Sequence, residues 1–545
     1  MSIKSSESET RYLSTSQQSL LAALSGILLS LSFLDAQYYL FAWVAFIPLL
    51  FAINGASSAR SYCLGLMMGI AFSISAGYWI VDFLMLSTGY SLGSSILWSL
   101  AFWIYCSQLS ALLALCFNAL RLRSSAHEFI LFPLVIVVFY SAFPMLFTVR
   151  LGESQSQFLS AIQAAEFTGV YGVDAVIALS NIVLFRLVSG PLKSLKTESF
   201  WPYLIAMLIV ISWVIYGVFA LQGWHSKLDS ASHLRIGIVQ PNETPTLDKF
   251  KPLAGYSLAY PPEMAMTERL RSAGAELVIW PEAKYKGYLD QTHVAKAFQH
   301  QLKEINTSLI FQDIGRISAE EQAGTYRQYN TAIMINDEGL EIGQYQKMKR
   351  IPFGEYVPLV SDLPIMRTWV EGFFGRFLNE IAEGSSHQFF TDQGINVIPL
   401  ICYELIFPEF VVEAVALSQK SLVQAAHRTR LLVGLSSNAW FGDTRQPYQH
   451  INTSIMRAVE NRTPMVHAVN NGPSVAVLPT GQVIFTSDFQ QAGGYIVDLP
   501  SLNNSSPSFY SQYPKLFIFS IYGLFILLIA KSAFPENLKL RSRSS

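Results

Sequence analysis

Between residues 20 and 221 the chain is a succession of seven apolar runs parted by short polar breaks, and no other feature limits its fold as strongly. The runs fall at 20–34, 38–53, 63–86, 96–120, 129–149, 170–185 and 201–221, and an eighth lies at 516–530. A helix crosses a bilayer with roughly 20 apolar residues, fewer where flanking side chains snorkel, so the pattern predicts a polytopic membrane protein. The first run does not read as a cleavable signal peptide, because apolar spans follow it at once. Composition agrees: 51% of the residues are hydrophobic and 14% charged, too apolar for an ordinary soluble chain. Basic and acidic side chains nearly balance at 37 and 38, which argues against a nucleic-acid partner.

Loop charges set the orientation, since Lys and Arg are retained on the cytoplasmic side. With the N-terminus inside, the inner loops carry Lys4, Arg11, Arg60, Arg121, Arg123, Arg186, Lys193 and Lys196. The tail adds Lys531, Lys539, Arg541 and Arg543, whereas the short outer loops hold only Arg150. Three parts follow: a seven-span domain over 1–224, an extramembrane domain over 234–500, and a last span with a basic tail over 514–545. Seven spans from an inside start put the extramembrane domain outside the cytoplasm, and the eighth returns the tail.

That domain alternates strand-like and helix-like segments. Leu234-Arg235-Ile236-Gly237-Ile238-Val239-Gln240 is a β-branched run, and 276–280 is a second strand stopped by Pro281. Further strands are expected at 308–311, 329–335, 395–402 and 431–435, with a strand pair at 463–469 and 474–478. Helices are expected at 261–274, from Pro408 onward, and at 446–461. The alternation predicts sheets covered by helices, an α/β layered domain.

Of four cysteines, Cys63, Cys106 and Cys116 lie in apolar segments, and Cys402 alone lies in the polar part. A single thiol there suits an oxidising compartment. Cys402 also ends an apolar strand, where a nucleophile is held rigidly while the next turn opens to substrate. Three motifs share that position: Trp280-Pro281-Glu282; Tyr345-Gln346-Lys347 with Pro352-Phe353-Gly354-Glu355; and Cys402-Tyr403-Glu404. They supply a base, a cation and a thiol. A carboxylate can take the thiol proton and return it to a leaving group, and an ammonium favours thiolate and neutralises an oxyanion. Each alone has a plainer reading, a buried small hydrophobe for Cys402 and surface charges for Glu282 and Lys347. Together, and each at a strand terminus, they point to chemistry. The nine histidines show no ligand spacing and no dinucleotide or P-loop fingerprint occurs, so neither metal nor cofactor is expected.

On these residues the chain resembles the nitrilase (carbon–nitrogen hydrolase) superfamily, whose Glu–Lys–Cys triad falls on Glu282, Lys347 and Cys402. The whole architecture is similar to the apolipoprotein N-acyltransferases of bacterial inner membranes. Tyr329-Asn330-Thr331, Pro352 to Pro358 and Ala439-Trp440-Phe441-Gly442-Asp443 match as well. The resemblance implies a helical membrane domain joined to an αββα sandwich, a monomer, with the sandwich facing the periplasm and both termini cytoplasmic. It also implies a two-step transfer. Cys402 would attack an ester of a membrane phospholipid, and the amino group of a diacylglyceryl-cysteine on an apolipoprotein would then take the acyl chain. Glu282 would be the base, while Lys347 and the main-chain N–H of Tyr403 would bind the oxyanion. Glu355 and Glu404 would orient Lys347, with Asn330 in support. Departures occur at Ala283-Lys284-Tyr285-Lys286, at Ser437-Asn438 where the family has Asn-Asp, and at Phe250 where it has Trp, which leaves room for another acceptor. Two rivals remain: a membrane-tethered amidase or nitrilase using water, and a transporter, for which Asp82 and Asp174 are the obvious intramembrane acids.

Overall fold

The computed structural model describes residues 13–124, 126–189, 200–244, 258–283, 285–318, 326–357, 381–421, 429–502 and 507–533. Lys4, Arg11, Lys193, Lys196, Phe250, Lys284, Pro358, Lys539, Arg541 and Arg543 lie outside these residues.

Among the described residues six helical segments are long and apolar enough to cross a membrane: Thr15–Leu34, Ala36–Ile53, Ser58–Ala76, Leu92–Arg123, Val170–Ser189 and Trp201–Asp229. Two shorter apolar helices, Glu128–Ala142 and Leu516–Ser532, occupy the fifth and eighth expected runs. Three expectations need correction. The run at 38–53 is not one α-helix: a 3-10 segment, Ala36–Trp43, gives way to an α-helix, Ile47–Ile53, that opens with Pro48 in its first turn. The run at 63–86 breaks at Gly77 into Ser58–Ala76 and Ile80–Thr88. The run at 129–149 stops being helical after Ala142, because Phe143 precedes Pro144 and is pushed toward extended backbone. Close helix approach depends on small residues: a Cβ on Gly65 would meet the Ser110 carbonyl oxygen at 2.4 Å, and one on Gly69 the Ser107 Cα at 2.7 Å.

Among the described residues the second domain has twelve strands: β1 (Ser232–Gln240), β2 (Leu277–Ile279), β3 (Ser308–Ser318), β4 (Tyr326–Ile335), β5 (Glu341–Gln346), β6 (Phe390–Asp392), β7 (Ile395–Ile401), β8 (Thr429–Ser436), β9 (Met465–Val469), β10 (Val475–Val477), β11 (Val483–Thr486) and β12 (Gly493–Ser501). They form two six-stranded sheets, ordered β12-β1-β2-β3-β4-β5 and β11-β10-β9-β8-β7-β6. Strands β1 to β3 and β7 to β9 run parallel at the two sheet centres. Strand periodicity sorts the side chains between layers. Val397 and Ile401 join Ile236, Ile279 and Ile310 in the core between the sheets. Ile398 and Leu400 point the other way, into a core shared with the Gln446–Asn461 helix and the membrane helices. The outer face of the first sheet is covered by Met264, Phe298 and Leu302 from the helices Pro262–Ser272 and Thr292–Ile305. Helix, sheet, sheet, helix: this is the αββα sandwich.

The Gln446–Asn461 helix joins the two domains. An amphipathic helix in a soluble domain shows its polar face to water, but here that face meets the membrane domain. Gln449 donates to the Ala76 carbonyl at 3.1 Å and accepts from Trp79 Nε1 at 3.2 Å, and Ser156 Oγ reaches Asn452 at 2.7 Å. Lower down, Glu460 accepts from the Val170 N–H at 2.8 Å, and Arg462 pairs with Glu166 at 2.9 Å. Arg150, the outer-loop cation of the charge count, is buried at this junction, bonded to the Tyr140 and Val149 carbonyls.

Candidate active site

Every residue of β7 is buried, and the strand ends at Cys402, which opens a 3-10 turn, Cys402–Ile406. Cys402 has φ of +50°, a left-handed conformation that costs an L-residue on the order of 1–2 kcal/mol. The turn throws the thiol out of the strand line. Burial and the Glu282 carboxylate push the thiol pKa up, while the Lys347 ammonium pulls it down. The resting group is therefore a thiol beside a base.

Glu282 follows β2 through the buried Trp280, whose indole N–H donates to Thr267 at 2.8 Å. Its carboxylate accepts from Asn330 Nδ2 at 2.7 Å. The departure after Glu282 turns out to be an anchor. The Lys286 ammonium, 1% exposed as a side chain, donates to Glu263 and lies 4.0 Å from Glu243, and its main-chain N–H bonds Asp313 at 2.8 Å. That fixes the far end of the loop carrying the base.

Lys347 follows β5 directly and is fully buried. Its main-chain N–H donates to the Asn330 carbonyl at 2.8 Å, so Asn330 in β4 holds both the base and the lysine backbone. Its ammonium donates to Glu355 at 2.8 Å, and Glu355 also accepts from the Ile351 N–H at 2.8 Å. Burial alone would lower the lysine pKa, but Glu355, Glu282 and Cys402 outweigh it and raise the value, keeping Lys347 charged. Glu404 works differently from expectation. One oxygen accepts from the Tyr345 hydroxyl at 2.7 Å and from the N–H groups of Met348 and Lys349 at 2.7 and 3.1 Å, and the other from the Ile401 N–H at 2.8 Å. It binds backbone just after the lysine and just before the cysteine rather than the ammonium. Tyr403 sits in the first 3-10 turn, where an N–H has no partner within the helix. Its side chain points away from that N–H, donating its hydroxyl to the Leu146 carbonyl and packing on Phe147 at 6.5 Å.

Residues 25–183 match the N-terminal domain of apolipoprotein N-acyltransferase, and residues 237–502 match the carbon–nitrogen hydrolase family. An apolipoprotein N-acyltransferase from Geobacter metallireducens is 28% identical over 510 residues, 91% of this chain and 92% of its own length. One from Rickettsia bellii is 26% identical, covering 86% of this chain and 88% of its own. Over most of its length the chain is similar to the apolipoprotein N-acyltransferases. Among solved structures, a variant of a Nesterenkonia amidase of the nitrilase superfamily aligns at 20% identity over 50% of this chain and 92% of its own, with a TM-score of 0.35.

What sequence reading missed in this N-acyltransferase relative is the cavity at the domain junction. A cavity of about 110 Å³, open to solvent, lies where the domains meet. Phe72, Trp79, Phe102 and Phe147 supply an apolar wall, and Gln446, Gln449, His450 and Asn452 a polar one. Trp79, Phe83, Phe147 and Phe441 pack edge-on or stacked around it. Behind Cys402 two buried histidines meet at 4.7 Å; His467 is bonded to Ser454 at 2.9 Å and Ser436 at 2.7 Å, and His450 to Asn438 at 3.2 Å. Spacing along the chain could not reveal a pair separated by a helix and a strand. Among the described residues no cluster of three or more His, Cys, Asp or Glu is arranged to hold a metal.

Proposed function

We propose that the chain moves an acyl group from a membrane phospholipid to Cys402 and then, as an amide, to the N-terminal amine of a diacylglyceryl-cysteine on an apolipoprotein. One observation carries the reading: the turn that begins at Cys402 reaches, at Ile406, a cavity whose apolar wall is made largely of membrane-helix side chains. An acyl chain needs that wall, and a water-soluble amide does not.

In the first step the Cys402 sulfur bonds the ester carbonyl carbon as Glu282 takes the thiol proton. Lys347 and the Tyr403 N–H hold the oxyanion. Collapse breaks the ester bond, and Glu282 returns the proton to the departing glycerol oxygen. In the second step the amine attacks the thioester, the C–S bond breaks, and the proton lost from nitrogen passes through Glu282 to sulfur. Glu355 keeps the lysine charged and in place; Glu404 and Asn330 hold the strand ends in register.

The catalytic domain faces the periplasm in this reading. Its support is the polarity of the helical bundle: Arg121 and Arg186 converge on Glu128 at 3.9 and 2.6 Å, and Arg60 sits by Thr15, at the end away from the Ala76–Trp79 junction. Mass spectrometry of protein incubated with phospholipid alone should find an acyl adduct on Cys402, absent from Cys402→Ser. The adduct should discharge to a diacylglyceryl peptide far faster than to water. Rapid hydrolysis without amine would instead make the chain a hydrolase.

A further inference from the structure

One irregular stretch of the membrane domain grips the nucleophile turn at two points. Residues 143–149 follow the Glu128–Ala142 helix and run to the buried Arg150 as neither helix nor strand. Main-chain carbonyls in such a stretch have no secondary-structure partner and are met by side chains instead. The Pro144 carbonyl accepts from the Tyr105 hydroxyl at 2.6 Å, and the Leu146 carbonyl accepts from the Tyr403 hydroxyl. Thr148 works in the opposite sense, its hydroxyl donating to the Ile406 carbonyl at 3.3 Å. Ile406 ends the Cys402–Ile406 turn, where a carbonyl has no partner within the helix. Arg150 closes the stretch, one guanidinium nitrogen bonding the Tyr140 and Val149 carbonyls on either side of it. Phe147, at its middle, packs on Trp79, Phe441 and Tyr403 with ring centres 5.2, 5.9 and 6.5 Å away.

We propose that this membrane stretch positions the oxyanion donor: Leu146 holds the Tyr403 end of the turn, Thr148 holds the Ile406 end, and together they aim the Tyr403 N–H at the carbonyl that Cys402 attacks. This rests on the acyl-transfer reading above. A five-residue 3-10 turn has poorer internal hydrogen-bond geometry than an α-helix, and this one starts at a left-handed cysteine, so outside ties decide how firmly it is held. An oxyanion donor acts only within about 2.7–3.1 Å of the place where charge develops, so looseness in the turn is lost rate. In the step served, the S–C bond forms, the ester C–O bond breaks, and the proton passes through Glu282 to the glycerol oxygen. Thr148 neither gives nor takes a proton and touches no reacting atom; it is a positioning residue. Met145, Phe147, Thr148 and Val149 also line the cavity. The segment that walls the space for an apolar chain is thus the one that holds the turn doing the chemistry.

The test uses the full chain in detergent and follows thioester formation on Cys402 by adduct mass spectrometry, with phospholipid and, separately, with p-nitrophenyl butyrate as acyl donor. Thr148→Val keeps the branched shape and removes the hydroxyl. The maximal rate of thioester formation should fall on the order of tenfold, less than the hundredfold or more that follows outright loss of an oxyanion donor, with the donor KM little changed. Thr148→Ser, which keeps a hydroxyl, should recover most of that loss. Alkylation of Cys402 by iodoacetamide separates aim from general damage. That reagent loses iodide from a saturated carbon and builds no oxyanion, so Thr148→Val should be alkylated at the rate of the unaltered protein. Equal slowing of alkylation and acylation would overturn the proposal and make the hydroxyl a support for the thiol and its base. Unchanged acylation in Thr148→Val, or no recovery in Thr148→Ser, would overturn it too. If the unaltered protein takes the acyl group from the butyrate ester but not from phospholipid, the acyl-transfer reading itself has failed, and the ester still decides the role of Thr148.

Discussion

Glu404 and Lys347 divide the work of the site between frame and charge. Replacing Glu404 by Gln turns one acceptor oxygen into a donor that faces main-chain N–H groups of Met348 and Lys349 or of Ile401. Each buried clash of that kind costs about 1–3 kcal/mol, so thermal unfolding of Glu404→Gln should shift down clearly. Lys347→Met removes the charge while Glu355 stays largely buried, and thioester formation should fall about a hundredfold or more by adduct mass spectrometry. Glu282 and Cys402 were legible because each is the chemical residue that follows an apolar strand, whereas Lys347 follows the polar β5 and was legible only through its motif. Asn330 was legible only through a resemblance. Thr148 was not legible at all, since its partner is brought to it by tertiary packing.

At the scale of elements, apolar runs located the membrane helices but misjudged their continuity. Hydrophobicity marks what the bilayer accepts, whereas breaks follow backbone chemistry near Pro48, Gly77 and Pro144, and an apolar count does not sense it. Strands β2 and β7, which end at the site, were legible because buried parallel strands are near-continuous apolar runs, whereas β5, an antiparallel edge strand, was not. The edge strands β6, β11 and β12 were not, being short, partly exposed or glycine-led. Small residues between Ser58–Ala76 and Leu92–Arg123 give a direct check. Gly69→Leu must displace the Ser107 backbone, so folded yield in detergent should fall sharply. Gly93→Ala, where an added Cβ meets nothing within 4 Å, should keep full yield and gain up to about 1 kcal/mol of helix stability.

For the whole molecule, the two domains share one core and a polar seam, so topology and catalysis stand together. Glu338 is exposed on the turn between β4 and β5. A Cys at that position should react with a membrane-impermeant thiol reagent added outside whole cells with a permeabilised outer membrane, before the inner membrane is broken. Labelling only after lysis would put the catalytic domain in the cytoplasm and defeat the lipoprotein reading.

The cavity draws one wall from helices such as Ser58–Ala76 and Leu92–Arg123, and the other from Gln446–Asn461. In the function proposed above, a lipid enters sideways, its tail never leaving hydrocarbon. The quantity that governs turnover is then crowding within a plane, not amount per litre. Diluting the donor with inert detergent at fixed bulk concentration should slow the enzyme, and adding water alone should not.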